Sequence, residues 1–246
     1  SLPNSWDYRL VPPCPANFFF VFFFFFFFSG RGFFFLPHPW GGWADGPSLE
    51  ATGRFHPAKH DGKWWLVDPA GKLFWSSGIT CVNFRQGTLT KGREKYFDWL
   101  PGENDPLRQF HRNPGKANGE MNFFEANLFR KYGPGYANRY FDSAVRRFRS
   151  WGITTVGNWS DYEEISRRKG VAYTIPVNSK ARMFLAEEHL KAGLARRKYF
   201  PDVFDPQFAR NLETALLANA GPHKNDPWLL GVFVDSFPTD GRAPQA

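Results

Sequence analysis

The stretch "NRYFDSAVRRFRSWGITTVGNWSDYEEISRRKGVAYTIPV", residues 138–177, decides how this chain is organised. Tyr140, Phe141, Ala144, Val145, Phe148 and Trp151 recur at helical spacing, which predicts an amphipathic helix stopped by Gly152. "ITTVGNW" (153–159) then predicts a buried strand, and "SDYEEISRRKG" (160–170) a helix with Ser160 or Asp161 as N-cap. "VAYTIPV" (171–177) predicts another strand. Downstream, "DPQFARNLETALLANAG" (205–221) reads as an amphipathic helix starting near Asp205-Pro206, and "PWLLGVFVD" (227–235) as the next strand. Upstream, "DGKWWLVDPAGKLFWSSGITCVNF" (61–84) holds two β-rich runs around Asp68-Pro69-Ala70-Gly71, a hairpin-type turn signal. Residues 86–120 are dense in Gly, Pro, Asn and charge and read as a long loop. Strand and helix therefore alternate, the rhythm of a parallel α/β fold. No Gly-x-Gly-x-x-Gly or P-loop motif marks a nucleotide site, so the pattern favours a barrel, although periodicity alone keeps a doubly wound sheet close behind.

Composition narrows the function classes. The net charge is +8, but the basic residues fall in short groups such as Arg146-Arg147, Arg167-Arg168-Lys169 and Arg196-Arg197-Lys198. These groups suit solvated helix faces, and no recognition motif accompanies them, so nucleic acid is not the expected partner. Cys14 and Cys81 give no disulfide framework and no metal spacing. His56, His60 and His111 have no ligand spacing either and read as surface residues. No metal and no cofactor is expected. The tryptophans lie among Gly, Asn and Asp. That setting suits rings that stack on sugars, and equally suits a core. Trp64 and Trp65 are adjacent on a strand, so they face opposite sides of it. Glu163 and Glu164 are adjacent on a helix and cannot face each other across a cleft.

Residues 1–35 are of another kind. Thirteen of the 29 Phe lie within 18–35, and the run Phe18–Phe28 is broken only by Val21. The run falls short of the roughly 20 apolar residues of a membrane span. As a secretion signal it lacks a basic lead and a small-residue cleavage site. "SLPNSWDYRLVPPCPANFFFVF" resembles the antisense conceptual translation of an Alu-type interspersed repeat, with a homopolymeric T tract behind the Phe run. That resemblance implies a low-complexity, disordered segment never selected to fold, whose uncharged Phe run invites self-association or aggregation. The expected organisation is 1–35 as this segment, 36–235 as an incomplete barrel domain, and 236–246 as an unrelated tail.

Four ordered stretches carry a second resemblance. "GRFHPAKHDGKWWLVDPAGKLFWSSGITCV" (53–82), "FFEANLFRKYGPGYANRYFDSAVRRFRSWGITTVGNWSD" (123–161), "FPDVFDPQFARNL" (200–212) and "DPWLLGVFVD" (226–235) resemble β-agarase-like glycoside hydrolases of the retaining (β/α)₈-barrel clan. The resemblance implies about the first four strands of such a barrel, preceded by a β-hairpin region. It also implies a parent that hydrolyses β-glycosidic bonds of an agarose-like galactan with retention, outside the cell or in the periplasm. That chemistry needs two carboxyl groups about 5–5.5 Å apart, one as acid/base and one as nucleophile. In the family pattern an Asn-Glu pair follows Gly-x-Phe-Val-Asp at the end of the fourth strand. Here Gly231-Val232-Phe233-Val234-Asp235 is followed by Ser236 and Phe237, so a phenyl ring stands at the acid/base position. General acid help, typically worth about 10²–10⁴-fold, is thereby lost. The nucleophile strand and the rest of the barrel are expected to be missing, and the chain to be an inactive fragment. By the same resemblance Asn158, Trp159, Asp161, Asp235, Glu125 and Asn127 are substrate-binding candidates. Asp161 could equally be an N-cap, Trp159 core, Asp235 a strand end, and Glu125 and Asn127 helix-start residues. Two other readings compete: a non-catalytic carbohydrate-binding protein, and a chimeric reading frame without biological function.

Overall fold

The computed structural model describes residues 38–179, 183–184, 200–201 and 203–235. The chain divides into two units, Ser1–Phe34 and Phe35–Ala246, and every described residue belongs to the second. The repeat-like segment, Arg196-Arg197-Lys198, Ser236, Phe237 and the tail lie outside the described residues.

The unit opens with an antiparallel sheet of β1 (His56–His60), β2 (Lys63–Val67) and β3 (Leu73–Phe74), in that order. The turn between β2 and β3 is the expected one, and Asp68 builds it. Its buried Oδ1 accepts the backbone N–H groups of Ala70 and Lys72, both at 2.9 Å, while Oδ2 lies 3.1 Å from His38 Nδ1. A short polar side chain that closes its own turn is the reason Asx residues mark such sites.

A second sheet is fully parallel and holds the fold together. Its strands are β4 (Gly78–Ile79), β8 (Thr155–Val156), β9 (Ala172–Val177) and β12 (Leu229–Val234), and their spatial order is their chain order. The α/β alternation read from the sequence is what places them so. Between β4 and β8 run α1 (Phe123–Tyr132) and α2 (Tyr136–Ser150); between β8 and β9 runs α3 (Tyr162–Arg168); before β12 runs α4 (Pro206–Asn219). Asp205 caps α4 by accepting Gln207 N–H at 2.8 Å, with Pro206 at the first helical position. Gly152 stops α2 at φ +70°, and its N–H and that of Ile153 bond back to Arg149 and Phe148. That paired closure needs a left-handed residue, which glycine supplies without a Cβ clash. The expected strand 153–159 shrinks to Thr155–Val156, because Asn158 onward turns away to make a loop.

Residues 86–120 are not simply a loop, which corrects the sequence reading. They hold β5 (Thr88–Leu89) and β6 (His111–Arg112), which flank β7 (Glu120–Met121) in a small antiparallel sheet, together with 3-10 turns at Glu94–Tyr96 and Pro106–Phe110. Two-residue strands carry no alternating pattern, so nothing in the sequence announced them. His111 is partly buried here rather than on the surface, with Nε2 2.9 Å from Thr90 Oγ1. Burial, then the nearby Arg108 charge, hold its imidazole below the usual pKa. A further short pair joins β10 (Met183–Phe184) to β11 (Phe200–Pro201).

The main core lies between the parallel sheet and its helices. Ala172, Tyr173 and Ile175 of β9 are completely buried, as are Val156 and Ile165, and Phe141, Val145 and Phe148 of α2 pack on them. A strand buried on both faces reads as a continuous apolar run, which is what "VAYTIPV" is. Tyr173 carries its hydroxyl inward at the cost of needing partners: it lies 2.8 Å from His223 Nδ1 and donates to Asp226 Oδ2 at 2.9 Å. Burial works against ionised Asp226, but donation from Lys169, Trp228 N–H and Tyr173 outweighs it and lowers the carboxyl pKa. By contrast β12 pairs only with β9 among the described elements, and Val232, Phe233 and Val234 stay exposed. Among the described residues no helix is long and apolar enough to cross a membrane.

Replacing Asp68 with Ala strands buried donors around one turn. It should lower unfolding stability by about 2–4 kcal/mol in a urea titration, whereas a loss below about 0.5 kcal/mol would contradict the role given to it.

Candidate functional site

Parallel strands in one sheet send all their C-terminal ends to one edge, which here carries the residues just after β4, β8 and β9 and, at the end of β12, Asp235. Three of these strand ends are followed by a non-glycine residue in the left-handed region, Cys81 (φ +60°), Trp159 (φ +60°) and Asp235 (φ +55°), while Asp61, Asn113 and Lys169 take such angles elsewhere. Each costs roughly 1–2 kcal/mol relative to ordinary backbone, and such strain gathers at functional positions.

The first two loops are stitched together. Gly157 N–H donates to Ile79 O at 2.7 Å, Cys81 N–H to Asn158 O at 3.0 Å and Asp161 N–H to Val82 O at 3.0 Å. Ser160 Oγ accepts Val82 N–H at 3.0 Å, and Asn83 Nδ2 donates to Trp159 O at 2.8 Å. The backbone of this turn is therefore fixed, and the fixed turn presents Trp159. The residue is 57 % exposed, so it is not core packing. Asn158 beside it is buried, and its Oδ1 has no hydrogen-bond partner among the described residues. A buried acceptor left unpaired costs free energy unless something else donates to it.

Asp161 holds the N-cap position of α3, yet its side chain caps nothing. It forms an ion pair with Arg85 at 2.5 Å instead. Burial raises the Asp161 pKa, Arg85 pulls it partly back, and the Glu164 charge adds to the rise, leaving it above the usual carboxylate range. Its charge also opposes ionisation of Tyr140, whose hydroxyl is pushed up to about 12, chiefly by burial.

Asp235 ends β12, and both its oxygens are occupied. Ser179 N–H and Ser179 Oγ donate to them at 2.8 and 2.6 Å, and Asp235 N–H donates to Val177 O at 2.7 Å. The pair clamps the loop after β9 to the end of β12. Glu125 serves α1 instead: Tyr136 Oη donates to one of its oxygens at 2.5 Å and Asn122 Nδ2 to the other at 3.0 Å, while Asn122 Oδ1 caps the Glu125 N–H. The Tyr136 hydroxyl pKa is pushed up to about 12, first by burial and then by that bond. Asn127 is exposed and accepts from Arg130 at 3.2 Å. So the fold brings Asn158, Trp159, Asp161 and Asp235 to the strand ends, while Glu125 and Asn127 are engaged in the helix α1.

Asn83, Arg85 and Ser179 do not stand out in the sequence, and Cys81 does so only as a cysteine without disulfide or metal spacing. The signal was available for three of them: "CVNFR" (81–85) follows β4 as "GNWSD" (157–161) follows β8. Among the described residues no group of three or more His, Cys, Asp or Glu could hold a metal ion.

The C-terminal edge of the parallel sheet thus presents an exposed indole on a bonded turn, beside a buried amide oxygen without a partner among the described residues. No protein-family model matches the chain. It is similar, however, to two curated proteins of Vibrio sp. (strain JT0107): β-agarase B, 33 % identical over 230 residues, and β-agarase A, 26 % identical over 206 residues. These alignments take in 80 % and 76 % of this chain but 23 % and 20 % of the relatives, so the chain spans less than a quarter of either. Among solved structures it is similar to a crystallised agarase (TM-score 0.71, 28 % identity) and to an exo-β-agarase (TM-score 0.65, 26 % identity). Each match covers 81 % of this chain, and 31 % and 33 % of the respective structures. The chain thus has an α/β fold and a segment similar to agarases.

Asp161 favours the fold as the neutral acid, because its folded pKa lies above the unfolded one; that contribution fades as pH rises through the interval. Removing the Arg85 charge widens the interval. Arg85→Ala should therefore cost more stability at about pH 7 than at about pH 4 in urea unfolding, and an equal deficit at both would contradict the pairing.

Proposed function

We propose that this chain carries a saccharide-binding edge of a β-agarase-like glycoside hydrolase, and that the 246-residue polypeptide alone holds agarose-like galactan without cleaving it. The observation that carries the reading is the strand-end turn: Trp159 exposed on strained, bonded backbone, next to the unpaired Oδ1 of buried Asn158. A pyranose offers one apolar C–H face and a rim of hydroxyls. The Trp159 ring stacks on the face, and buried Asn158 backs the turn that presents it. The Arg85–Asp161 pair fixes the loops around them, and Asp235, clamped by Ser179, sets the height of the third loop.

For the whole enzyme the reading is retaining hydrolysis of a β-glycosidic bond in a (β/α)₈ barrel. Four parallel strands in chain order are how such a barrel starts, and barrel enzymes build their sites on this edge. The similarity to agarases supports galactan as the glycan. Within this polypeptide Asp235 is followed by Ser236-Phe237, where the family pattern has Asn-Glu, so no proton donor stands at the acid position. A phenyl ring cannot protonate a leaving oxygen.

Purified protein should migrate more slowly in gels containing agarose, with Trp159→Ala weakening the interaction by about tenfold, and should release no reducing sugar above a blank. Unaltered mobility in agarose would contradict the binding half of the proposal. Sugar release would contradict the other half.

A further inference from the structure

At the opposite end of the parallel sheet lies a second feature. Residues 38–74 pack where the parallel strands begin: Trp40 lies 4.4 Å from Trp228, just before β12, and Gly41 sits against Thr154, just before β8. In this part of the molecule an open depression of about 500 Å³ is lined by Trp43, Trp65 and Leu73 with His60, Asp61 and Lys63. None of these residues belongs to the loops after β4, β8, β9 or β12.

The lining is built, not incidental. Trp43 N–H donates to Leu73 O at 2.8 Å, which ties the segment to β3. A Cβ on Gly46 would meet the Trp43 ring at 2.5 Å, so glycine there lets the backbone lie directly on the indole. Trp43 nonetheless leaves 43 % of its surface exposed. Trp65 enters from the neighbouring strand, on the face opposite Trp64, a residue 71 % exposed with the Lys59 ammonium 5.9 Å from its ring centre. His60 and Asp61 lie 3.4 Å apart at the β1–β2 turn, with Lys63 on its other side.

Two indoles beside a rim with an ammonium, an imidazole and a carboxylate match a ligand that is apolar on its face and hydroxylated at its edge. The rim carries both signs of charge, so it selects neither an anion nor a cation. We infer that this depression is a second, non-catalytic site for a neutral saccharide of the galactan class, remote from the strand-end site. This rests on the galactan reading above for the identity of the sugar. Two sites on one molecule engage one polysaccharide chain together, and the second contact then acts at high effective concentration.

Equilibrium dialysis of the full chain against a labelled agarose tetrasaccharide should give two sites per molecule. Trp65→Ala should leave only the strand-end site, and Trp159→Ala only this one. Lys63→Ala, on the exposed turn, should weaken this site by about threefold while keeping the native circular dichroism spectrum, which guards against a Trp65 variant that fails to fold. One site in the unsubstituted protein, lost in Trp159→Ala and untouched by Trp65→Ala and Lys63→Ala, would overturn the inference and leave the strand-end reading standing. One site lost in Trp65→Ala and kept in Trp159→Ala would support the depression and overturn the strand-end reading. No binding at all would overturn both.

Discussion

The hydrogen-bond ladder joining β8, β9 and β12 is the constraint on which the rest depends. Because these strands run parallel, each chain reversal must travel through a crossover, and the helices α2, α3 and α4 are those crossovers. Parallel pairing also sends every strand end to one edge. Asn158, Trp159 and Asp235 are far apart in sequence, and only this ladder makes them neighbours of one rim. The core of β9, with Ala172, Tyr173 and Ile175 fully buried, is what keeps the ladder in register.

Two ends of one sheet thus have different chemistry. At the C-terminal end Cys81, Trp159 and Asp235 take left-handed angles, as do Asp61, Asn113 and Lys169 elsewhere. At the opposite end lies the antiparallel sheet with its Asp68 turn, and Trp40 packs on Trp228. Aromatic residues serve both ends, but in different ways. Some, such as Phe74 and Phe141, are core, while Trp159 and Trp43 keep open ring surface. Composition alone could not separate these uses.

Much of the scaffold was legible because it rests on periodicity and caps. Phe141, Val145 and Phe148 marked α2, Gly152 marked its end, and Asp205-Pro206 marked the start of α4. Asp68-Pro69-Ala70-Gly71 marked its turn. The short sheet within 86–120 was not legible, since two residues make no pattern. The site was partly legible: Asn158, Trp159 and Asp161 follow a strand in sequence, and that is a local signal. Arg85 and Ser179 were hidden, because each acts through a partner 76 or 56 positions away that only the tertiary fold supplies. Asp161 illustrates the same limit. As a helix N-cap it looked committed to backbone, yet its carboxylate is taken by Arg85.

The account stands on one idea, that the strand-end rim is a surface that holds sugar and does not break it. The most direct measurement is a titration of the isotope-labelled protein with an agarose oligosaccharide, followed by amide resonances and by the sugar signals in the same tube. The account predicts shifts centred on Asn158, Trp159, Ser179 and Asp235 while the oligosaccharide stays intact over hours. Resonances at those positions that do not move, or new anomeric signals from a shortened sugar, would contradict it.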